Sequence, residues 1–239
     1  MLFSVITVCF NSEKTIERTI KSVLEQTCQD YEYIIVDGAS TDRTLEIIKR
    51  YEPLFHGKMK WISEKDAGIY DAMNKGILMS KGELVGIINS DDYYEKDALQ
   101  KISEIYQGYP YTIIYGMLRV VSDEKEVMVC LRNHDFLESD MIMHPACFIT
   151  RMLYEKYGMY SLKYPYCADY EFMLRVKKEK EVQFVKNYQI ITNFSLGGVS
   201  GHIQAYRDTL RLKYEYGLVG KYEYWRNMVR TWITMKLRR

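Results

Sequence analysis

A regular alternation of apolar strand patterns and amphipathic helix patterns over the first hundred residues constrains the fold of this chain most. Short apolar runs rich in β-branched residues predict buried strands, at residues 2–9, 31–37, 58–63 and 84–89. Apolar residues at helical spacing predict helices between and after them, beginning at Ser12 and Ser40 and spanning residues 69–79 and 96–106. Strands that alternate with helices are joined by right-handed crossovers. We therefore predict an α/β fold with a mostly parallel central sheet flanked by helices.

The pattern changes after about residue 110. Residues 111–121 and 126–131 alternate like antiparallel strands around an Asp-Glu turn. Shorter patterns predict strands at 146–150, 182–184 and 190–196, a helix at 169–178, and two final helices at 201–216 and 219–237. We find no internal repeat or low-complexity linker. The chain is therefore expected to form a single domain over residues 1–200, followed by a helical extension over residues 201–239.

Composition and charge exclude several classes of protein. The formal net charge is +1, so no global field favours nucleic acid as a partner. The five cysteines show no CxxC or Cys/His cluster, which argues against a zinc site or a disulfide framework and for free thiols in a reducing compartment. No apolar run reaches the roughly 18 residues of a membrane span, and residues 2–10 lack the charged leader of a signal peptide. We expect a cytoplasmic protein.

Polar residues follow the predicted strands at the edge where α/β sheets bind ligands. Asn89-Ser90-Asp91-Asp92 comes directly after an apolar strand. Two adjacent carboxylates repel each other unless a cation or hydrogen-bond donors offset their charge. A hard divalent ion does so, and it commonly bridges to substrate phosphates. The alternative is that Asp91 and Asp92 cap the helix near Lys96.

Two further segments carry polar residues toward the same edge. Asp37 follows the second strand and could accept hydrogen bonds from a base or a ribose, or it could cap the next helix. Gly38 permits close approach of a ligand or forms a tight turn. Residues 64–76 place Asp66 before a helix and Asn74 along one of its faces. This face could hold a nucleotide or be an ordinary solvated surface.

Taken together, these segments resemble glycosyltransferase family 2. Five of them follow one another in register over about 90 residues, and two more lie further along the chain. The matching stretches are Val5-Ile6-Thr7-Val8-Cys9-Phe10-Asn11, Ser22-Val23-Leu24-Glu25-Gln26-Thr27, Ile35-Val36-Asp37-Gly38-Ala39-Ser40-Thr41-Asp42, residues 66–76, Asn89-Ser90-Asp91-Asp92, His144-Pro145 and Asp169-Tyr170-Glu171.

The resemblance implies the GT-A fold, with a nucleotide-binding half over about residues 1–110 and an acceptor half over about residues 111–200. It also implies a divalent metal, Mg²⁺ or Mn²⁺, and roles for individual positions. The expected nucleotide-binding residues are Thr7, Val8, Phe10, Asn11, Asp37, Gly38, Asp66, Asn74 and Asp91, the expected metal ligand is Asp92, and the expected general base is Asp169. The chain departs from the family at Gly38, where many members carry a second acid, and at Ala168, where many carry Glu.

The implied reaction is a single displacement that inverts the anomeric carbon. It needs a base on the acceptor hydroxyl and charge stabilisation on the leaving diphosphate, which Asp169 and the metal would supply. The alternative for Asp169 is a cap of the helix that follows it. Three further residues could contact the donor or acceptor sugar, namely His144, Glu171 and His202. Glu171 is also a rival to Asp169 as the base. The alternatives are that His144 is a structural histidine and that His202 is part of a flexible connector.

We therefore expect an inverting glycosyltransferase that uses a nucleotide diphosphate sugar, most simply a UDP-sugar, and a glycan or lipid-linked acceptor in cell-surface polysaccharide synthesis. A metal-dependent nucleotidyltransferase would also use acids at strand ends. It would normally carry a glycine-rich, basic phosphate loop, which residues 5–14 lack. A third interpretation is a non-catalytic nucleotide- or carbohydrate-binding protein. It is disfavoured because Asp37, Asp91, Asp92 and Asp169 are retained together.

The C-terminal stretch combines basic and aromatic residues. Residues 201–239 contain nine Lys or Arg and three acids. Apolar residues recur there at helical spacing, at Tyr222, Trp225, Val229, Trp232 and Ile233. This composition is typical of a helix that lies on an anionic membrane surface, which we expect of residues 219–239. Packing on the main domain and contact with a second copy in a homodimer are the alternatives.

Overall fold

The computed structural model describes residues 1–123, 125–197 and 203–237, with side chains described up to residue 234. It contains a nine-stranded sheet with helices packed on both faces. The strands are β1 (Phe3–Cys9), β2 (Tyr31–Asp37), β3 (Met59–Ser63), β4 (Leu84–Ile87), β5 (Tyr93–Tyr94), β6 (Thr112–Ser122), β7 (Lys125–Cys130), β8 (Cys147–Thr150) and β9 (Gln183–Ser195). The helices are α1 (Ile16–Leu24), α2 (Thr44–Tyr51), α3 (Ile69–Met79), α4 (Ala98–Ser103), α5 (Arg151–Tyr157), α6 (Ala168–Lys177), α7 (Ile203–Glu215) and α8 (Lys221–Leu237).

The sheet joins a parallel half to a mixed half. Its strand order is β3-β2-β1-β4-β8-β6-β9-β5, and β7 pairs with β6. Strands β1 to β4 are parallel, and Ile6 of β1 lies opposite Ile34 on one side and Ile87 on the other. Strand β8 is antiparallel to both β4 and β6. The predicted parallel arrangement is thus confirmed for β1 to β4, while the sheet as a whole is mixed.

Burial explains why the first strands are so apolar. Every residue of β1, β2 and β4 is buried, because helices cover both faces of this part of the sheet. One face packs against α3 and α6. The other packs against α1, which presents Ile16, Ile20 and Val23 at helical spacing. This two-sided packing fixes the strands in register, so that the polar residues after β1 to β4 emerge along one edge.

Strand β9 is the main departure from the predicted elements. The sequence predicts two short strands here, because a polar stretch separates two apolar ones. In the structure one strand runs from Gln183 to Ser195, parallel to β6. Tyr115 of β6 lies opposite Lys186, and Met117 lies opposite Ile190. The intervening residues 187–189 therefore bulge out of the ladder.

Three local expectations also change. Strand β5 was not predicted, because two residues give no detectable period. Helix α5 was not predicted either. The helix expected to begin at Ser12 begins at Ile16, and the Ser12 carbonyl accepts the Ile16 N–H at 3.0 Å. The Ser12 hydroxyl instead pairs with the Ser90 hydroxyl at 2.8 Å, which ties the end of β1 to the segment after β4.

Helices α7 and α8 form the C-terminal extension. Leu212 of α7 is completely buried in the core shared with α6. Helix α8 packs on α7, and the rings of Tyr214 and Tyr224 stack with their centroids 4.5 Å apart. Among the helices described, none is both long and apolar enough to cross a membrane.

Candidate active site

Asp37, the last residue of β2, anchors the carboxyl edge of the parallel strands. It is completely buried. Its Oδ2 accepts hydrogen bonds from the Ser40 N–H at 2.9 Å and the Ser63 hydroxyl at 2.7 Å, and its Oδ1 accepts from the Ser40 hydroxyl and the Cys9 thiol. Burial, and next the charge of Asp37, raise the pKa of the Cys9 thiol. The donors around Asp37 offset the cost of burying a carboxylate.

The chain leaves β1 through Phe10 and Asn11. Asn11 adopts a left-handed conformation with φ of 48°, which Asn tolerates better than most residues. Its N–H donates to the Ser40 hydroxyl at 2.8 Å, and its side-chain oxygen accepts the Thr41 N–H at 2.9 Å. These bonds fix the turn. They leave the Phe10 ring 62% exposed, as an aromatic surface beside Asp37.

Three residues expected at the nucleotide have other contacts in the structure. Thr7 is completely buried, and its hydroxyl accepts a hydrogen bond from the Tyr33 hydroxyl at 2.9 Å. Val8 is buried in the core. The amide of Asn74 donates to the Tyr160 carbonyl at 2.9 Å and accepts the Tyr160 N–H at 3.0 Å. These side chains hold the scaffold around the crevice together.

Gly38 lies close to the side chain of Asp66. A Cβ atom at residue 38 would lie 2.6 Å from Oδ2 of Asp66, closer than carbon and oxygen can approach. The other oxygen of Asp66 accepts the Gly68 N–H at 2.9 Å, which holds the carboxylate in place. Asp66 thus occupies the space beside Asp37 that a second acid at position 38 would need. A side chain at residue 38 would therefore require Asp66 to shift.

Helix α3 connects this edge of the sheet to Asp169. The helix begins just after Gly68, whose φ of 119° turns the chain into it. In its first turn, the Tyr70 hydroxyl donates to Oδ1 of Asp169 at 2.6 Å. The same oxygen accepts the Tyr170 N–H at 2.9 Å. Oδ2 of Asp169 accepts no hydrogen bond from the residues described, so one oxygen is held and the other is available.

Asp91 and Asp92 have different surroundings although they are adjacent. Asp92 is completely buried, and its carboxylate accepts the Ser195 N–H at 2.9 Å and the Asn89 amide at 3.4 Å. Burial, and next the charge of Asp91, raise the pKa of Asp92 to about 8. Asp91 is only partly buried. Its carboxylate accepts no hydrogen bond from any other residue that the structure describes, and burial raises its pKa.

Arg18 and Ser195 position this acidic turn, and sequence reasoning missed both. The Arg18 guanidinium donates to the Asp91 carbonyl and to the Ser195 hydroxyl, each at 2.8 Å. The Ser195 hydroxyl also donates to the Asp91 carbonyl at 2.6 Å. The Thr19 hydroxyl donates to the Asp92 carbonyl at 2.6 Å. No local motif signals these contacts, because they join α1, the turn after β4 and the end of β9.

His144 belongs to a buried polar chain behind Asp169. Its Nε2 lies 2.7 Å from the Tyr160 hydroxyl, which in turn lies 2.8 Å from the Tyr154 hydroxyl. Burial lowers the pKa of His144, and the negative charge of Asp169 opposes that effect. His144 is therefore a neutral imidazole in the core. In this arrangement it supports the site and does not face an open crevice.

Glu171 has a structural role, against the expectation of a rival base. It is buried. One of its oxygens accepts from the Tyr216 hydroxyl at 2.6 Å and from Arg175 at 3.1 Å, and the other accepts from Arg175 at 3.2 Å. A carboxylate bound in this way is not free to take a proton from an acceptor. His202, the third tentative contact, lies outside the described residues.

The oxygen atoms of the turn after β4 fit a hard divalent cation. The side-chain oxygen of Asn89 is buried and has no hydrogen-bond donor among the described residues. It lies in the same turn as Asp91 and Asp92, where negative charge is only partly compensated. In the described part of the chain, no three His, Cys, Asp or Glu side chains converge to hold a metal. Phosphate oxygens and water would therefore complete the shell, as is usual for Mg²⁺.

Comparison with solved structures defines the class of protein. The TarS fragment of S. aureus in complex with UDP-GlcNAc matches with a TM-score of 0.71 at 20% identity, over 89% of this chain and 65% of that one. A Pyrobaculum calidifontis mannosyltransferase, PcManGT, in complex with GDP-Man and Mn²⁺, matches with a TM-score of 0.65 at 18% identity, over 92% of this chain and 65% of that one. The chain thus spans less than two thirds of each. The fold is that of the GT-A glycosyltransferases, as predicted.

Sequence comparison gives the family. The model of glycosyl transferase family 2 matches residues 4–207, and this chain belongs to that family. A PGL/p-HBAD biosynthesis glycosyltransferase of Mycobacterium tuberculosis is 29% identical over 205 residues, which are 84% of this chain and 80% of that protein. The predicted family and enzyme class are therefore confirmed, and the protein is a glycosyltransferase.

Proposed function

We propose that this enzyme transfers a sugar from a nucleoside diphosphate donor by a single inverting displacement, with Asp169 as the general base. The observation that carries this proposal is the asymmetry of the Asp169 carboxylate. Oδ1 is held by Tyr70 and by its own helix, while Oδ2 has no donor among the described residues. A base must be oriented and also have an oxygen available to receive a proton. Asp169 meets both conditions, whereas Glu171 is oriented but has both oxygens bonded to Arg175 and Tyr216.

The proposed step forms one bond, breaks one bond and transfers one proton. The acceptor oxygen forms a bond to the anomeric carbon while the bond from that carbon to the diphosphate oxygen breaks. The acceptor proton passes to Oδ2 of Asp169, and the diphosphate leaves with the bonding electrons. Attack from the side opposite the leaving group inverts the configuration at that carbon.

The donor is best accommodated along the edge formed by Phe10, Asn11, Asp37, Gly38 and Asp66. The exposed Phe10 ring offers a flat surface on which a base can stack. UDP is our proposed nucleotide, and the TarS complex with UDP-GlcNAc supports it as a precedent within the fold. Thr7 and Val8 would contribute through their backbone, since their side chains are buried.

We propose that Asp91, and not the expected Asp92, is the residue that holds a divalent metal, Mg²⁺ or Mn²⁺. Asp91 is partly exposed and accepts no hydrogen bond from another described residue, whereas the buried Asp92 is bound to Ser195 and Asn89. Asp92 then holds the turn in shape. A bound metal supplies charge stabilisation for the leaving diphosphate. PcManGT, solved with GDP-Man and Mn²⁺, supports the choice of metal.

The proposed acceptor is a glycan or a lipid-linked glycan of the cell surface. A relative named for PGL/p-HBAD biosynthesis supports an acceptor of this kind. The identity of the donor sugar depends on contacts outside the edge that holds the nucleotide. A panel of UDP-, GDP- and dTDP-sugars, tested by calorimetry, identifies the donor directly.

Substitution of the three acids tests the assignment. Release of nucleoside diphosphate is followed with Mn²⁺, the donor found by calorimetry and a panel of glycan acceptors. Asp169→Asn should lower kcat by about a hundredfold or more while donor affinity is kept, because one proton acceptor is lost. Asp91→Asn should lower activity about as much and weaken the dependence on Mn²⁺.

Glu171→Gln is the matched control on the same helix, and it should keep kcat while losing stability. If Asp169→Asn is fully active, Asp169 is not the base. If Asp92→Asn abolishes the Mn²⁺ dependence while Asp91→Asn retains it, the metal assignment reverts to Asp92.

A further inference from the structure

Helix α8 carries an exposed aromatic face. Trp225, Val229 and Trp232 follow one another at intervals of four and three residues, and each is more than half exposed. Tyr222 and Ile233 extend the same face and are also exposed. Residues at this spacing lie on one side of a helix. A contiguous apolar surface of this kind marks an interaction site.

The opposite side of α8 is docked on the enzyme. Tyr224 stacks on Tyr214 of α7, and Thr231 is buried. Tyr224 and Met228 line a cleft against α7. The orientation of α8 is therefore fixed by packing, and its aromatic face points away from the domain. This excludes packing on the main domain as the purpose of that face.

Cations border the aromatic face. Arg226 and Arg230 are both exposed, and they lie one turn apart along one edge of it. Neither forms an ion pair with a residue that the structure describes. The Arg226 guanidinium lies 5.9 Å from the centre of the Tyr222 ring. Between Lys221 and Leu237, four Lys or Arg stand against one acid, Glu223. An apolar strip with a basic border fits a surface that is apolar inside and anionic outside.

We propose that α8 docks this enzyme on the surface of an anionic lipid bilayer. Tryptophan has an apolar body and a polar N–H, and it favours the interface between acyl chains and headgroups. Arginines at the border would contact phosphate groups of the lipids. The helix would lie along the surface with its aromatic face inserted. A membrane-bound acceptor would then be presented to an enzyme already held at the same surface.

A second copy of this chain is the competing occupant, and charge disfavours it. In a two-fold symmetric contact through this face, the same patch of each copy meets the other. Arg226 and Arg230 would then approach the cations of the other copy, with Glu223 as the one acid between Lys221 and Leu237 to offset them. Like charges in close contact destabilise an interface. An anionic bilayer removes this repulsion.

Vesicle flotation of the full chain tests the proposal without any assay of activity. Failure of the membrane proposal can therefore be distinguished from failure of the proposed function. The probes are vesicles of phosphatidylcholine alone and vesicles with phosphatidylglycerol added. The protein should float with the anionic vesicles, and added salt should weaken binding. Trp225→Ala with Trp232→Ala should lower binding by roughly tenfold for each indole removed. Arg226→Gln with Arg230→Gln should lower it by roughly fivefold for each arginine.

The matched control is Phe136→Ala with Tyr188→Ala, which removes two aromatic rings that are exposed far from α8 in the sequence. Its flotation should equal that of the wild type. Circular dichroism checks that each variant is folded. If the tryptophan variant does not fold, the arginine variant still tests the proposal. The proposal is overturned if the wild type does not float, or if both α8 variants float as well as the wild type. If the wild type does not float, sedimentation without lipid tests the alternative. Dimers that are lost in the tryptophan variant would assign the face to a second copy.

Discussion

At the scale of single residues, the site depends on how neighbouring acids are supported. Asp91 and Asp92 have the same side chain and adjacent positions, yet only Asp92 is completely buried. Its oxygens are bound by Ser195 and Asn89, while those of Asp91 are not bound by another described residue. The same contrast separates Asp169 from Glu171. Hydrogen-bond donors, more than residue type, decide which carboxylates are available for chemistry.

Tyr70 should act as a positioning residue for Asp169. Tyr70→Phe removes the hydroxyl that donates to Oδ1 and leaves the ring in place. The carboxylate can then rotate, so we expect kcat to fall by roughly tenfold, because misplaced bases transfer protons poorly. The KM for the donor should stay unchanged. Steady-state kinetics with varied donor separates the two parameters.

Tyr216→Phe provides the control for this effect. The Tyr216 hydroxyl also donates to a carboxylate of α6, but that carboxylate is Glu171. Its loss should lower the free energy of unfolding by about 1 kcal/mol and leave kcat unchanged. Equal losses of kcat in the two variants would mean that Tyr70 acts only through stability.

At the scale of secondary-structure elements, helices on opposite sides of the site hold its parts together. Helix α3 contacts Asp169 through Tyr70 and the segment before α6 through Asn74. Helix α7 contacts the start of α6 through Asp208, which is buried. The Asp208 carboxylate accepts the Tyr166 N–H at 2.9 Å. These contacts fix the end of α6 that carries Asp169, the proposed base.

Substitution of Asp208 should loosen the start of α6. Asp208→Ala leaves the Tyr166 N–H without its acceptor and should lower the free energy of unfolding by about 1–3 kcal/mol. Asp208→Asn retains a side-chain oxygen and should keep most of the stability. Urea denaturation of the two variants measures the difference. Equal stability of Asp208→Ala and the wild type would show that this contact does not hold α6.

At the scale of the whole molecule, two halves of different topology share one sheet. Strand β8 is antiparallel to β4 on one side and to β6 on the other, so the core is continuous across the junction. The acids at the strand ends come from the parallel half, and Asp169 comes from the second half. A catalytic site between them therefore requires the complete sheet.

The contribution of His144 to the stability of the chain should fall in mild acid. Burial lowers the pKa of His144 in the folded state, while an unfolded histidine titrates at about pH 6.5. At this position the unfolded chain therefore binds more protons below that pH, and the contribution of His144 to the free energy of unfolding should decrease as the pH falls through about 6.5. The slope from this one group is at most about 1.4 kcal/mol per pH unit.

Urea denaturation between about pH 7.5 and about pH 5.5 measures this slope. His144→Asn carries no titrating group at this position, so the difference in the free energy of unfolding between the wild type and the variant should change in the unfavourable direction for the wild type as the pH falls. Identical pH dependence in the two proteins would show that His144 is not the group responsible.

The sequence by itself determined strands β1 to β4, the helices between them and the acids at the strand ends. Helix α3 and strand β2 have the predicted bounds, because apolar period and turn residues are local properties of the chain. The family also follows from such local stretches. For the same reason the sequence predicts two strands in place of β9. The polar residues of its bulge interrupt the apolar pattern, so a local pattern does not assign them to a strand.

Only the tertiary structure decided how the acids differ. Tyr70 and Asp169 are 99 residues apart in the chain, and Ser195 and Asp92 are 103 residues apart. No local pattern reports which donor reaches which carboxylate over such separations. The bonding of both oxygens of Glu171, the close approach of Gly38 and Asp66 and the exposed side of α8 arise in the same way. Each depends on burial and distance, which are set by packing between elements and not by the composition of any one of them.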